Sequence, residues 1–386
     1  MNPAFAASRS EPKGLRTSGG NVRRVLMTTD AVGGVWNFCL ALARHLAARG
    51  VRVLLAIMGP TPTLSQRRDA ETIPGVTVED GPFALEWMER PWLDVDAAGA
   101  WLLALAERFR PDVVHLNQYA HGHLSFRAPV VITAHSCVLS WWRAVKGEAA
   151  PARWNTYRWR VARGLRAAHT VTAPSATMLG ALQGAYGPLP GAQIVYNGLD
   201  GSVWVPRAKE ELIVAVGRVW DEGKNLCALD RACRRFPWRT EVMGPLQDPL
   251  GRSRPLVHAR AVGVLPPAGV AERLARAAIF CSPSLYEPFG LGVLEAALSG
   301  CALALADIGS FRELWGGAAA FFDPRDPEAL GDVVEALIRD EGARRALGEA
   351  AHRRAVAFAG SRWATRYHDI YAATAHSFEM QKETNT

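Results

Sequence analysis

The sequence predicts an α/β protein built from two doubly wound parallel-sheet domains that face each other across a cleft. Three observations carry that expectation. At 386 residues the chain is too long for one ordinary core. Short apolar runs alternate with stretches of helical periodicity from Val22 onward. The alternation then restarts near Glu211, after a segment rich in glycine, proline and polar residues.

VRRVLMTT, from Val22, is the first strand, followed by the turn DAVGG. Val35, Cys39, Leu42, Ala43 and Leu46 then recur at helical spacing until Gly50 ends the helix. VRVLLAIM is a buried strand and completes a β-α-β unit with its glycine turn at a strand's carboxyl end. PDVVHLN, APVVITAHS and AHTVTAPS are further strands. In the second half ELIVAVGR is a strand, NLCALDRACRRF a helix, RTEVMG a strand and VAERLARA a helix, continued by AIFCSPS, LGVLEAALSG, CALALAD and DPEALGDVVEALIRD. The expected organisation is a disordered leader at 1–20, an N-terminal domain at 21–203 and a C-terminal domain at 204–360. A terminal helix with a frayed tail, MQKETNT, occupies 361–386 and is expected to pack back on the N-terminal domain.

Composition narrows the function classes. Apolar residues make up 49% and charged residues 21%, a globular balance. No run of eighteen uncharged apolar residues predicts a membrane-spanning helix, and the charged leader lacks the apolar segment of a signal peptide. The six cysteines are scattered without a C-x-x-C pair, so a cytoplasmic, disulfide-free protein without a zinc site is expected. The net charge of +7 suits phosphate-bearing ligands or an anionic membrane surface, and an arginine-rich composition explains it equally well. No P-loop and no G-x-G-x-x-G turn is present, which argues against ATPase and dehydrogenase readings. No nucleic-acid partner is expected, and the oligomeric state is open.

The motif with most chemical content is EPFGLGVLE, from Glu287 to Glu295, between the strand AIFCSPS and a helix. Gly290 and Gly292 let backbone approach a ligand, and the free N–H groups at a helix start favour an anion. Two carboxylates flanking that point can accept hydrogen bonds from hydroxyls, as a sugar diphosphate demands. Spacing alone favours an ordinary strand–loop–helix with solvated glutamates. The second element, GRVWDEGKN, puts Arg218 and Lys224 on a loop at a strand's carboxyl end, where open α/β sheets bind ligands. A guanidinium fork and an ammonium are the usual neutralisers of phosphate.

With GGVWNFCLALARHLAARGVRV near the start and VYNGLD at the linker, these elements resemble the retaining GT-B glycosyltransferases of family 4 over most of the chain. The resemblance implies a retaining transferase that moves a hexose from a nucleoside-diphosphate sugar, UDP- or GDP-linked, to a hydroxyl without a metal ion or other cofactor. By the same resemblance Arg218 and Lys224 grip the donor diphosphate, and Glu295 holds the ribose hydroxyls. Glu287 sits at the transferred sugar, near the backbone N–H groups of Phe289, Gly290 and Leu291. Gly33 and Gly34 let the first loop approach phosphates and acceptor, and His135 lies beside the sugar. The spelling WDEGK, from Trp220 to Lys224, departs from the commonest family form and puts the detailed donor contacts in doubt.

Other features stay open on the residues themselves. His135 at a strand end is equally a hydrogen-bonded structural histidine, and His115 occupies a similar place in the preceding strand. His121 and His123 could line the acceptor side but lack a third metal ligand. Asp94-Val-Asp96 has the spelling of a metal-binding pair, yet its position before AAGAWLLALAERF suits a helix N-terminus. Trp141 and Trp142, placed in a loop after His135, could stack on an acceptor ring or simply pack. RWNTYRWRVARGLRAAH reads as a basic amphipathic helix packed on its own sheet, with peripheral membrane contact as the alternative. The competing functions are a nucleotide-sugar epimerase and a non-catalytic nucleotide-sugar-binding subunit of the same architecture.

Overall fold

In the computed structural model, residues 22–248, 251–358 and 360–384 are described, so the expected leader at 1–20 lies outside them. The apolar runs form two all-parallel sheets. The first contains β1 (Arg24–Asp30), β2 (Arg52–Met58), β3 (Val76–Asp80), β4 (Val113–Leu116), β5 (Val130–Thr133), β6 (Thr170–Ala173) and β7 (Gln193–Ile194) in the order β3-β2-β1-β4-β5-β6-β7. The second contains β8 (Glu210–Val216), β9 (Arg239–Met243), β10 (Arg260–Gly263), β11 (Ala277–Ser282), β12 (Ala302–Ala306) and β13 (Ala320–Phe322) in the order β10-β9-β8-β11-β12-β13. In each sheet the order reverses beside the first strand, at β1/β4 and at β8/β11. Ligands of open α/β sheets bind at the carboxyl ends of such strands.

Alternation along the first sheet sorts its side chains onto two faces. Leu26, Leu54, Val114 and Ile132 pack under the helices Trp92–Phe109, Asn155–Ala167 and Ala176–Tyr186. Val25, Met27, Val53 and Val131 pack against the helix Gly34–Ala47 and the last helix, Gly360–Thr384. That last helix follows the second domain in sequence but returns to the first sheet. Trp363, Tyr367, Ile370 and Tyr371 recur at helical spacing and are all buried there. Burial of each such side chain contributes roughly 1.5–3 kcal/mol, so the returning helix is a fixed part of the N-terminal half. It continues to Thr384, which corrects the reading of 380–384 as a frayed tail.

Two further corrections concern elements. Trp141 and Trp142 lie in the helix Val138–Lys146, not in a loop. The four outermost strands, β3, β7, β10 and β13, carry no strand signal in the sequence reading above. Asn155–Ala167 buries Tyr157, Val161 and Leu165 and turns Arg158, Arg163 and Arg166 outward, while Arg160 lies over the Trp92 ring and pairs with Asp96. No helix among the described residues is long and apolar enough to cross a membrane.

Candidate functional site

The carboxyl ends of β8 and β11 build the C-terminal wall of the cleft. After β8 the chain turns through Arg218, whose Nη2 donates to Asp221 Oδ2 at 2.6 Å and whose guanidinium lies 5.3 Å from the Trp220 ring centre. Its Nε is buried without a hydrogen-bond partner. Asp221 also accepts the Gly223 N–H (2.9 Å), and the Gly223 carbonyl accepts the N–H groups of Leu285 (2.9 Å) and Tyr286 (3.2 Å). The two loops are thereby tied, and Lys224 meets Glu287 in an ion pair that is mostly covered on both sides.

Gly290, at φ 89° and ψ 69°, starts the helix Leu291–Leu298, which has no side-chain cap. A Cβ at Gly290 would stand 3.0 Å from the Phe311 ring and 3.3 Å from Glu287 Cγ, so only glycine fits this turn. The Phe289 side chain is buried in the domain core, which leaves its backbone as the part available to a ligand. One turn into the helix, burial pushes the Glu295 carboxyl up to about 8. Desolvation without a counter-charge has that effect, and hydroxyl donors from a ligand would relieve it.

The N-terminal wall comes from the ends of β1, β4 and β5. Gly33 has φ 88°, and a Cβ there would lie 3.1 Å from Arg218 Nη1; one at Gly34 would lie 3.8 Å from Leu291 Cδ1. The first glycine loop therefore lies against Arg218 of the other domain. Asp30 ends β1 and accepts the Val32 N–H at 2.8 Å, which shapes that loop. Burial pushes its carboxyl up to about 6, against the pull of that N–H and of the Arg218 charge.

His135 follows β5, and Asn117 fixes its tautomer. Asn117 Nδ2 donates to the Thr28 carbonyl (2.6 Å) and Oδ1 lies 2.7 Å from His135 Nε2. With its amide nitrogen so committed, Asn117 offers His135 only an acceptor, so Nε2 carries the proton and Nδ1 is a bare acceptor. Burial lowers the His135 pKa to about 3, so the ring is neutral at physiological pH. Phe38 packs edge-on against it at 4.5 Å. A neutral imidazole of this tautomer can accept a hydroxyl proton but cannot act as a standing acid.

The remaining expected residues separate. His121 is not at the cleft: it is buried, with Nε2 2.8 Å from the Val95 carbonyl, because the Trp92–Phe109 helix covers it. That corrects its placement on the acceptor side. His115 is buried between Thr133 and Tyr371, each at 2.7 Å, and burial lowers it to about 3. Trp141 reaches the cleft but packs on protein: its Nε1 lies 2.8 Å from where a Gly223 Cβ would stand. Trp142 sits 5.9 Å from Trp141, beneath the Arg153 guanidinium. Asp94 lies in the first turn of its helix and Asp96 pairs with Arg160. Among the described residues no three His, Cys, Asp or Glu side chains converge as metal ligands would.

Sequence reading missed the contacts that join the walls. The Tyr286 hydroxyl enters the N-terminal domain, accepting from the Cys137 N–H (3.0 Å) and bonding Ser140 Oγ (2.8 Å). Ser175 Oγ donates to the Pro288 carbonyl at 2.7 Å. Glu313 accepts the N–H groups of Ala176 (2.7 Å) and Thr177 (2.9 Å) at the start of Ala176–Tyr186. Asp30 and Asn117 had a usable signal, since each is a polar residue at the carboxyl end of a strand beside a sheet's reversal point.

Comparison with known proteins bears on this geometry. The profile described as Glycosyltransferase Family 4 matches residues 32–202, and that described as Glycosyl transferases group 1 matches residues 252–354. The chain is 30% identical over 273 residues to a glycogen synthase of Mycobacterium tuberculosis, a match spanning 64% of this chain and 64% of that protein. It is 27% identical over 387 residues to a D-inositol 3-phosphate glycosyltransferase of Kribbella flavida, across 86% of this chain and 88% of that protein. Among solved structures, Anabaena HepE in complex with UDP-glucose superposes with a TM-score of 0.72 at 17% identity, covering 91% of this chain and 99% of that one.

Proposed function

Because the chain belongs to the group 1 glycosyltransferases of GT-B fold, we propose that it transfers a hexose from a nucleoside-diphosphate sugar to an acceptor hydroxyl, with retention and without a metal ion. One observation carries this reading: Arg218 and the Lys224–Glu287 pair stand at one wall of a cleft whose other wall brings Gly33 to within contact of Arg218. Cleavage of an anomeric carbon–oxygen bond leaves a nucleoside diphosphate and an oxocarbenium-like sugar. Fixed cations aimed at the departing phosphate act where that charge develops, and one such donor is worth about 3–4 kcal/mol. Arg218, already oriented by Asp221 and Trp220, is pre-set for this task.

In this reading Glu295 takes the ribose hydroxyls, Glu287 and the backbone at 289–291 take the sugar hydroxyls, and His135 Nδ1 accepts one more. Retention follows from attack on the same face as departure, with the leaving phosphate accepting the acceptor's proton. A neutral, Nε2-protonated His135 is consistent with that, since it supplies no proton of its own. The UDP-glucose held by the HepE structure makes a UDP-sugar the first donor to try.

The deciding experiment is thermal unfolding with UDP-, GDP-, ADP- and dTDP-sugars, with chelator present. Ligand at about 100 times its Kd stabilises by roughly 2.7 kcal/mol, a visible shift. A shift with one base family, lost in Arg218→Ala and Lys224→Ala, is the expected result. Folded protein that responds to none of them overturns the donor site.

A further inference from the structure

The first helix, Gly34–Ala47, and the returning helix Gly360–Thr384 meet in an aromatic cluster centred on Phe38. Phe38 lies one turn beyond Gly34, and its ring meets four others edge-on. The centres stand 4.5 Å away at His135, 5.0 Å at Trp363, 5.5 Å at Tyr367 and 6.2 Å at His115, with interplanar angles of 76°, 70°, 81° and 76°. Phe38, Trp363, Tyr367 and His115 are buried, whereas His135 is half-buried. The backing of Phe38 is itself tied down. The Tyr367 hydroxyl bonds Thr133 Oγ1 at 3.1 Å and Thr172 Oγ1 at 3.2 Å, and Trp363 stands 5.7 Å from the Tyr367 ring.

Asn117 decides which nitrogen of His135 carries the proton, but a single hydrogen bond at Nε2 does not fix the plane of the ring. The torsion about the Cβ–Cγ bond of a histidine is broad, unlike a staggered side-chain torsion. Nδ1 stands farther from that axis than Nε2, so a turn that the Asn117 bond tolerates carries Nδ1 through the larger arc. An edge-to-face neighbour restrains such a turn, because the favourable contact holds only near the perpendicular. Phe38 supplies that restraint at the shortest ring separation in the cluster. An aliphatic side chain of similar bulk would fill the space without the directional preference. The next residue, Cys39, lies with its Sγ 3.2 Å from Asn117 Nδ2, so one turn of one helix touches both the ring and its hydrogen-bond partner.

We propose that Phe38 is a positioning residue for His135, setting the plane of the imidazole so that Nδ1 is held where it accepts a sugar hydroxyl. Only the role of His135 is taken from the proposed function; how its ring is held does not depend on it. Phe38 touches neither donor nor acceptor in this reading and acts through His135 alone. The helix that carries Phe38 begins at the glycine loop lying against Arg218, so one rigid element sets both the loop and the histidine.

The test joins NMR of histidine-labelled full-length protein to UDP-glucose kinetics, on Phe38→Leu and on Phe38→Met, whose flexible chain keeps more of the bulk should the first fail to fold. The His135 ring signals are assigned by their loss in His135→Ala. Both Phe38 variants are expected to keep the Nε2–H tautomer while the His135 signals broaden or double, and kcat should fall roughly tenfold with UDP affinity unchanged. In the His135→Ala background Phe38→Leu should cost no further kcat/KM, although its Tm loss persists. Tyr371→Phe is the control for general loosening: it removes the 2.7 Å bond to His115 from the same returning helix and should lower Tm while leaving the His135 signals sharp. Single, sharp His135 signals in both Phe38 variants overturn the inference, as do equal broadening in Tyr371→Phe or additive kcat/KM losses with His135→Ala. Should His135→Ala keep wild-type turnover, the role read for His135 fails, and the ring signals alone still decide whether Phe38 holds it.

Discussion

Gly33→Ala probes the contact between the N-terminal glycine loop and Arg218. Two costs can be separated. The first is backbone strain: Gly33 sits at φ 88° and ψ −136°, and holding an L residue in such a region costs about 1–3 kcal/mol. For a domain of this size each kcal/mol lowers Tm by about 2–4 °C. The second is steric: the new Cβ would stand 3.1 Å from Arg218 Nη1. The guanidinium cannot yield freely, since Asp221 holds Nη2 and Trp220 lies against its face. Removing such a positioned charge costs about 3–4 kcal/mol of transition-state stabilisation, and a shift of a few tenths of an ångström forfeits part of it. A fall of roughly tenfold to a hundredfold in kcat/KM follows from that fraction. Kinetics of donor turnover and thermal unfolding should be read together on Gly33→Ala, Arg218→Ala and the double variant. With Arg218 gone the steric cost has no target, so the kcat/KM losses should be strongly non-additive while the Tm losses add. Additive kcat/KM losses would show that Gly33 acts independently of Arg218 and refute the reasoning.

Three further expectations follow from the same geometry. Glu295 holds its proton up to about pH 8 when folded, against an ordinary value of 4.5; between those values the folded state binds more protons, so its contribution to stability is full below about 4.5 and is lost as pH rises to about 8. Glu295→Gln should flatten the Tm–pH curve across that window and weaken UDP-sugar binding, and an unchanged slope would contradict the assignment. Asn117→Asp should draw a proton onto His135, whose Nε2 lies 2.7 Å from Asn117 Oδ1; imidazole NMR should show a raised pKa and kcat/KM should gain an acidic limb, whereas Asn117→Ala should lose activity without that limb. Tyr286→Phe leaves the Cys137 N–H and Ser140 Oγ without their shared partner, which should cost about 1–3 kcal/mol, visible as a lowered Tm.

The sequence was legible where burial is complete. The interior strands β1, β2, β4, β5 and β6, with β8, β9, β11 and β12, are covered on both faces and so read as apolar runs. The strands that escaped, β3, β7, β10 and β13, are the four edges of the two sheets. They have only two to five residues and are mostly half-covered, as in VTVED and RAVG, so neither a continuous run nor a clean alternation marks them. The donor wall was legible for a different reason: Arg218, Lys224, Glu287 and Glu295 fall within two short segments whose glycines dictate the turns. The N-terminal wall was harder, because its contributors are single polar residues at strand ends. His135 was found by likeness, while Asn117, which sets its proton, was not.

The contacts between domains lay beyond any local pattern. Tyr286, Ser175 and Glu313 reach partners that are 149, 113 and 137 residues away in sequence, and nothing in their neighbours announces it. Yet these contacts decide what the site can do. Tyr286 precedes Glu287, and Ser175 bonds the carbonyl of Pro288, so the stretch proposed to hold the sugar is the same stretch that anchors one domain to the other. Anything that opens the seam must therefore disturb Glu287, and anything seated beside Glu287 must bias the seam.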